Sequence, residues 1–149
     1  MKKINDQRGI IAISAVAALA ILILAVGVGI TAFSFNEVFV AEGQRKSTKA
    51  RLYAEAGARD ALVRIARDKT YNCTSEDCYS IDFVTNGCSA NEGCARVSVS
   101  SGSGSSSDPK IITSKGRVTS ITRKIQVDVV FDSSLHGEIA TTTWREVVN

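Results

Sequence analysis

Residues 10–33 read IIAISAVAALAILILAVGVGITAF, an apolar run without a charged residue and with only Ser14 and Thr31 as polar interruptions. At 1.5 Å rise per residue such a helix reaches about 35 Å, enough for the roughly 30 Å hydrocarbon core of a bilayer. No other stretch constrains the chain so strongly, because a helix apolar on every side must be covered by lipid or by other helices. A short charged leader, MKKINDQRG, stands directly before it. A secretory signal has an apolar region of about 7–15 residues closed by a small-x-small cleavage site. This run is longer than that, and no such site closes it.

The chain has 149 residues. With about two dozen given to lipid, roughly 115 remain for water, enough for one small domain. Lys2, Lys3 and Arg8 lie before the run, while the first charges after it are Glu37 and Glu42. The positive-inside bias therefore predicts a single-pass protein of the cytoplasmic membrane with its N-terminus inside and its C-terminal domain exported. The return of Arg45, Lys46 and Lys49 moderates that asymmetry. Formal charge is +3, and taking away Lys2, Lys3, Arg8 and Asp6 leaves 15 basic against 14 acidic residues. So near a balance, without a basic patch interleaved with aromatics, gives no reason to expect nucleic acid as a partner.

From residue 36 to residue 69 the pattern becomes amphipathic. Ala54, Ala58, Ala61, Leu62, Ile65 and Ala66 recur at three- and four-residue spacing and predict one apolar stripe. Glu42 with Lys46, Glu55 with Arg59 and Asp60 with Arg64 are acid-first pairs at i, i+4, each worth a few tenths of a kcal/mol. The helix is expected to run on from the membrane segment. Gly27 and Gly29 lie two-thirds along the apolar run. At a cost of about 1 kcal/mol each relative to Ala, they mark a soft point or a place of close helix approach.

Residues 70–94 form a cysteine-rich loop carrying Cys73, Cys78, Cys88 and Cys94. An even number of cysteines in an exported domain points to disulfides. Of the three possible pairings, the local one, Cys73–Cys78 with Cys88–Cys94, closes two short turns and is the first choice. The spacing does not match the C-x2-C knuckles of zinc sites, and no His is near, so no metal is expected. Asp77, Asp82, Asn86, Asn91 and Glu92 follow no calcium-loop spacing. Asn72-Cys73-Thr74 fits the short glycosylation pattern and carries little weight.

Residues 95–149 alternate as strands do. Ala95, Val97 and Val99 predict one strand, Ile125, Val127, Val129 and Phe131 another, and residues 139–148 a last one containing the sole tryptophan, Trp144. Lys110 to Val118 predicts a middle strand kinked at Gly116, and Ser120-Ile121-Thr122 a turn into the next. The stretch 102–108, GSGSSSD, reads as a flexible hairpin loop. The expected class is α+β: a long N-terminal helix, half membrane and half amphipathic, packed on a small antiparallel meander. His136, the sole histidine, sits in a Ser/Gly-flanked turn, and no nucleophile–base grouping is recognisable. Neither an enzyme nor a cofactor is expected.

Arg8-Gly9 directly before the apolar helix resembles the leader of type IV pilins and type II secretion pseudopilins. The Ala-Glu-Ala-Gly-Ala-Arg stretch at residues 54–59 is similar to the N-terminal region of PilX-type subunits. The resemblance implies a leader at 1–9, an assembly helix at 10–35, and a prepilin peptidase that cuts between Gly9 and Ile10, after which the Ile10 amine is methylated. It also implies other pilin subunits as partners, with membrane lipid around the helix before assembly into a surface filament. Where most of that family carry Glu, five residues after the cut, this chain has Ser14. That Glu offsets the new amine at the positive end of the helix dipole, and it is thought to pair with the amine of the subunit above. A chain with Ser14 and no such Glu resembles the PilX and GspK type of minor pilin, placed at a tip; the family also often uses Pro and Gly near the depth of Gly27 and Gly29, which with Ser14 are the expected assembly residues. The competing expectation is a single-pass anchored binding or adhesin domain that does not polymerise.

Overall fold

The computed structural model describes residues 8–133 and 138–147; the leader before Arg8, the turn that holds His136 and the last two residues lie outside it, as do the side chains of residues 8–12 and 31–36. The described chain is α+β, in the order α1 (Arg8–Arg67), β1 (Tyr79–Asp82), α2 (Gly87–Ala90), β2 (Cys94–Val99), β3 (Lys110–Val118), β4 (Ile121–Phe131) and β5 (Ile139–Val147). It divides into two compact units, residues 1–42 and 43–149, and α1 contributes to both.

In the second unit the five strands form one sheet in the order β1-β2-β3-β4-β5, every neighbour antiparallel. This is the expected meander with one strand more. Val97, Val99, Ile112, Ile125, Val127 and Val129 alternate onto one face and meet Ala54, Ala58, Ala61 and Ile65 of α1. Each of the larger side chains so buried contributes about 1.5–3 kcal/mol relative to exposure. Small residues on the helix let its backbone come down onto the strands. The closest approach is at Gly116, where a Cβ would lie 1.9 Å from the Ala50 carbonyl oxygen and 2.5 Å from the Ala54 nitrogen. The expected kink at Gly116 is therefore absent. β3 runs unbroken, paired through Gly116 to Ala95 on one side and Arg123 on the other, because its glycine makes room for a helix.

The stripe also differs in detail. Ala50 and Gly57 belong to it, Leu62 is half-buried, and Ala66 is exposed. Arg64 Nε holds Asp60 at 2.7 Å as the spacing predicts, but Glu55 takes Arg51 at 3.1 Å, one turn before it, instead of Arg59.

At the end of α1, Thr70 donates its amide and hydroxyl to Asp68 Oδ1 at 2.9 and 2.6 Å. These bonds hold the Asp68 carboxyl below its ordinary range. Lys110, almost fully buried at the start of β3, donates its ammonium to the carbonyls of Lys69 (2.9 Å) and Tyr71 (2.7 Å). Burial pulls the Lys110 pKa down, with the Asp68 charge opposing it. One lysine thus fixes the helix exit to the sheet.

Two elements occupy the stretch expected to be loop. β1 pairs with β2 from Tyr79↔Val97 to Asp82↔Cys94, and α2 is one turn between Asn86 and Asn91, both left-handed. β3 and β4 are joined through Thr119 and Ser120 alone, so Ile121 and Thr122, expected in the turn, already lie in β4. The serine-rich connection is also more organised than its composition implies. Ser103 donates its amide to Asp108 Oδ2 at 2.7 Å, and Phe131 N donates to Gly104 O at 2.8 Å. Gly104 has φ +80 and lies under the Phe131 ring, where a Cβ would meet ring carbons at 2.1 Å.

The bonds from Ser103 hold the Asp108 carboxyl below its ordinary range. Its contribution is complete above the unfolded carboxylate value of about 3.9 and is lost as pH falls through the lower folded value. Amide protection at Ser103 and Gly104, taken relative to the exchange rate of an unstructured chain at each pH and followed by NMR from neutral pH to about pH 2, is expected to hold through the ordinary carboxylate range and fall only below it. Loss of protection that begins well above that range removes Asp108 as the clasp.

Candidate assembly segment

The first unit is helical from Arg8 onward, and Gly9 and Ile10 lie in its first turn. Residues 13–30 make the one helix among the described residues long and apolar enough to cross a membrane, with mean hydropathy 2.7 and no residue of the window buried. Its large side chains stand out on every side: Ile13, Val16, Leu19, Leu22, Ile23, Val26 and Ile30 are all more than half exposed. Ser14, in the second turn, is exposed too. The helix continues through Gly27 and Gly29, and a Cβ at either would meet nothing within 4 Å. Among the described residues no steric need explains two glycines there. Two positions apart, they lie on nearly opposite sides of the rod, and each thins one side where a neighbouring helix backbone can approach.

In the second unit the cysteines pair as Cys73–Cys78 and Cys88–Cys94, the local arrangement, and none is left free. The second bridge closes the loop that carries α2. Tyr53 of α1 stacks on Phe83 at 4.3 Å between ring centroids, and Asp82 Oδ1 accepts the Cys88 amide at 2.5 Å. Thr119 N donates to Asn91 O at 2.6 Å, tying the loop to the β3–β4 hairpin. Nothing local in the sequence marks Tyr53 and Phe83 as partners, since two aromatics thirty positions apart carry no local pattern. Asp82, Cys88 and Cys94 form a grouping of metal-type side chains. With both sulfurs in a disulfide and the carboxylate engaged, the grouping is a stapled turn.

Beside it, Arg64 lies over the Tyr79 ring, 4.3 Å from its centroid. Burial, with the Asp60 carboxylate near by, pushes the Tyr79 hydroxyl well above its ordinary pKa. The phenol stays neutral and serves as packing. A bridge over so short a loop is worth about 2 kcal/mol. The double variant Cys88→Ser/Cys94→Ser is expected to lose about that amount in urea unfolding of the full chain in detergent. A loss below a few tenths would mean that Tyr53–Phe83 and the Asp82 bond hold the loop unaided.

No protein-family model, no curated protein and no solved structure matches this chain.

Proposed function

We propose that the chain is a structural subunit, of minor or tip type, of a type IV pilus or secretion pseudopilus. It is held in the cytoplasmic membrane by residues 10–35, freed of its leader by a prepilin peptidase between Gly9 and Ile10, and methylated at Ile10. It then enters a filament through the same helix. The observation that carries this reading is the helix of residues 13–30, apolar on every side and wholly uncovered, joined in one chain to a small disulfide-stapled α+β head. Such a helix is covered by lipid before assembly and by neighbouring helices after it. Gly27 and Gly29 supply the close approach that van der Waals association of helices needs. On this reading the protein is not an enzyme and takes no cofactor, and its partners are other pilin subunits.

Ser14 supports a position at the end of a filament. After the cut no carboxylate occurs from residue 10 to residue 36, so this subunit has nothing to pair with the amine of a subunit above it. Gold-labelling of a tagged chain in sheared filaments is expected to mark one end or sparse points. Ser14→Glu is expected to raise the number of labelled copies per filament several-fold. Dense labelling of the unaltered chain along the shaft contradicts the tip placement. Absence from the filament fraction, with the protein retained in membranes, favours the anchored, non-polymerising adhesin.

A further inference from the structure

The face of the sheet turned away from α1 carries a line of cations that the filament reading does not use. The register sets Arg96 opposite Lys115 and Lys115 opposite Lys124, so three cations from β2, β3 and β4 stand in one cross-strand row, with Arg117 two residues along β3 on the same face. Directly opposed residues have Cβ atoms about 4.5–5.5 Å apart, and like charges so placed destabilise a sheet. Elsewhere on this face a cation finds a carboxylate: Arg145 of β5, opposite Gln126, reaches diagonally to Asp128 of β4 at 2.9 Å.

The Cys73–Cys78 loop supplies a partial answer. It brings two consecutive carboxylates to one end of the row: Asp77 lies 3.4 Å from Arg96 and 3.3 Å from Lys115, and Glu76 lies 2.5 Å from Lys115. The loop reaches no further. Among the described residues no carboxylate stands within ion-pair distance of Lys124 or Arg117, and the Arg117 guanidinium is spent on the Thr119 carbonyl at 3.1 Å. The Glu76 side chain remains 83% exposed while paired, so its hold on the row is an exchangeable surface contact.

We propose that this row is a docking site for an acidic peptide segment of a partner protein, and that Glu76 and Asp77 occupy half of it as a built-in competitor. The occupant follows from what already sits there. The row accepts adjacent carboxylates presented by a backbone, and a longer run of Glu and Asp extends past the loop to Lys124, relieving the Lys115–Lys124 repulsion. The site lies wholly within the second unit and does not depend on processing or polymerisation.

The test uses the full chain in a zwitterionic detergent and a fluorescein-labelled short peptide of alternating Glu and Asp, read by fluorescence anisotropy at low salt. Removing the competitor with Glu76→Gln/Asp77→Asn is expected to tighten binding about three- to tenfold, within the range that the three surface ion pairs lost can supply. Adding Lys124→Gln to that variant is expected to weaken it about threefold or more. Raising salt toward about 1 M, where screening acts within about 3 Å, is expected to abolish it. Unchanged circular dichroism and intact disulfides show that each variant is folded. No binding to the competitor-free variant, or binding indifferent to Lys124→Gln, overturns the proposal. Polyphosphate of equal charge bound more tightly than the peptide overturns its choice of occupant.

Discussion

Replacing Gly116 with alanine is expected to cost the head about 3 kcal/mol or more, although the same change in an ordinary strand stabilises by a few tenths to 1 kcal/mol. The sign is decided by what the added methyl meets. The nearest atoms belong to the backbone of α1, the Ala50 carbonyl oxygen at 1.9 Å and the Ala54 amide nitrogen at 2.5 Å, and no rotamer change can move them aside. The helix cannot lift locally either. One turn further on, a Cβ at Gly57 would lie 2.5 Å from Ser114 Oγ and 2.9 Å from Val97 Cγ2, and Ala58, Ala61 and Ile65 fill the core beyond. Nor can β3 retreat, since Gly116 is paired on both sides. Against a total stability of about 5–15 kcal/mol for a small domain, such a loss leaves little margin. Urea unfolding of the full chain in detergent, followed by Trp144 fluorescence, measures it. Thr113→Val on the opposite face serves as the control, expected within about 0.5 kcal/mol of the unaltered protein. A Gly116→Ala variant as stable as that control would mean that the helix does not rest on β3 as described.

The second large effect concerns the leader, where the proposed cut makes the outcome all or none. Gly9→Leu is expected to leave residues 1–9 attached, because the resemblance places the cut directly after that glycine and a bulky branched side chain fills the room beside the scissile bond. On the proposed topology an uncut chain keeps Lys2, Lys3 and Arg8 on the cytoplasmic side of its apolar helix. Drawing that helix out of the bilayer then drags three cations toward hydrocarbon, each costing about 2.5–3.5 kcal/mol at the membrane centre. The variant therefore accumulates in membranes and is lost from the filament fraction. Immunoblots of both fractions, with Leu22→Ile alongside as a conservative change in the same helix away from the leader, read the result. Processing of Gly9→Leu at the normal rate would place the cut elsewhere or remove it.

What the sequence disclosed was what short-range pattern encodes. The apolar run, the three- and four-residue stripe from Ala54 to Ala66, and the alternation in β2 and β4 each lie within one element, and they form as expected but for Ala66, which is exposed, and Leu62, half-buried. The local cysteine pairing was legible because both loops are short. What stayed hidden depends on partners distant in sequence. β1 is only Tyr-Ser-Ile-Asp, too short to show a period, and it is a strand because β2 lies beside it. α2 is one turn set off by two left-handed asparagines, whose turn chemistry looks the same in any loop. Gly116 read as a kink because a glycine in a strand signals either irregularity or close approach, and only the position of Ala50 decides between them. The row Arg96–Lys115–Lys124 was equally invisible, since register alone brings the three together. For the candidate assembly segment, the run itself was plain in the residues, whereas the role of Gly9, Ile10 and Ser14 rests on resemblance.

The most direct test of the central claim is the intact mass of the protein extracted from membranes of cells that carry a prepilin peptidase. The expected result is a single species that begins at Ile10, carries one added methyl group and retains two disulfides. A species that begins at Met1 contradicts it.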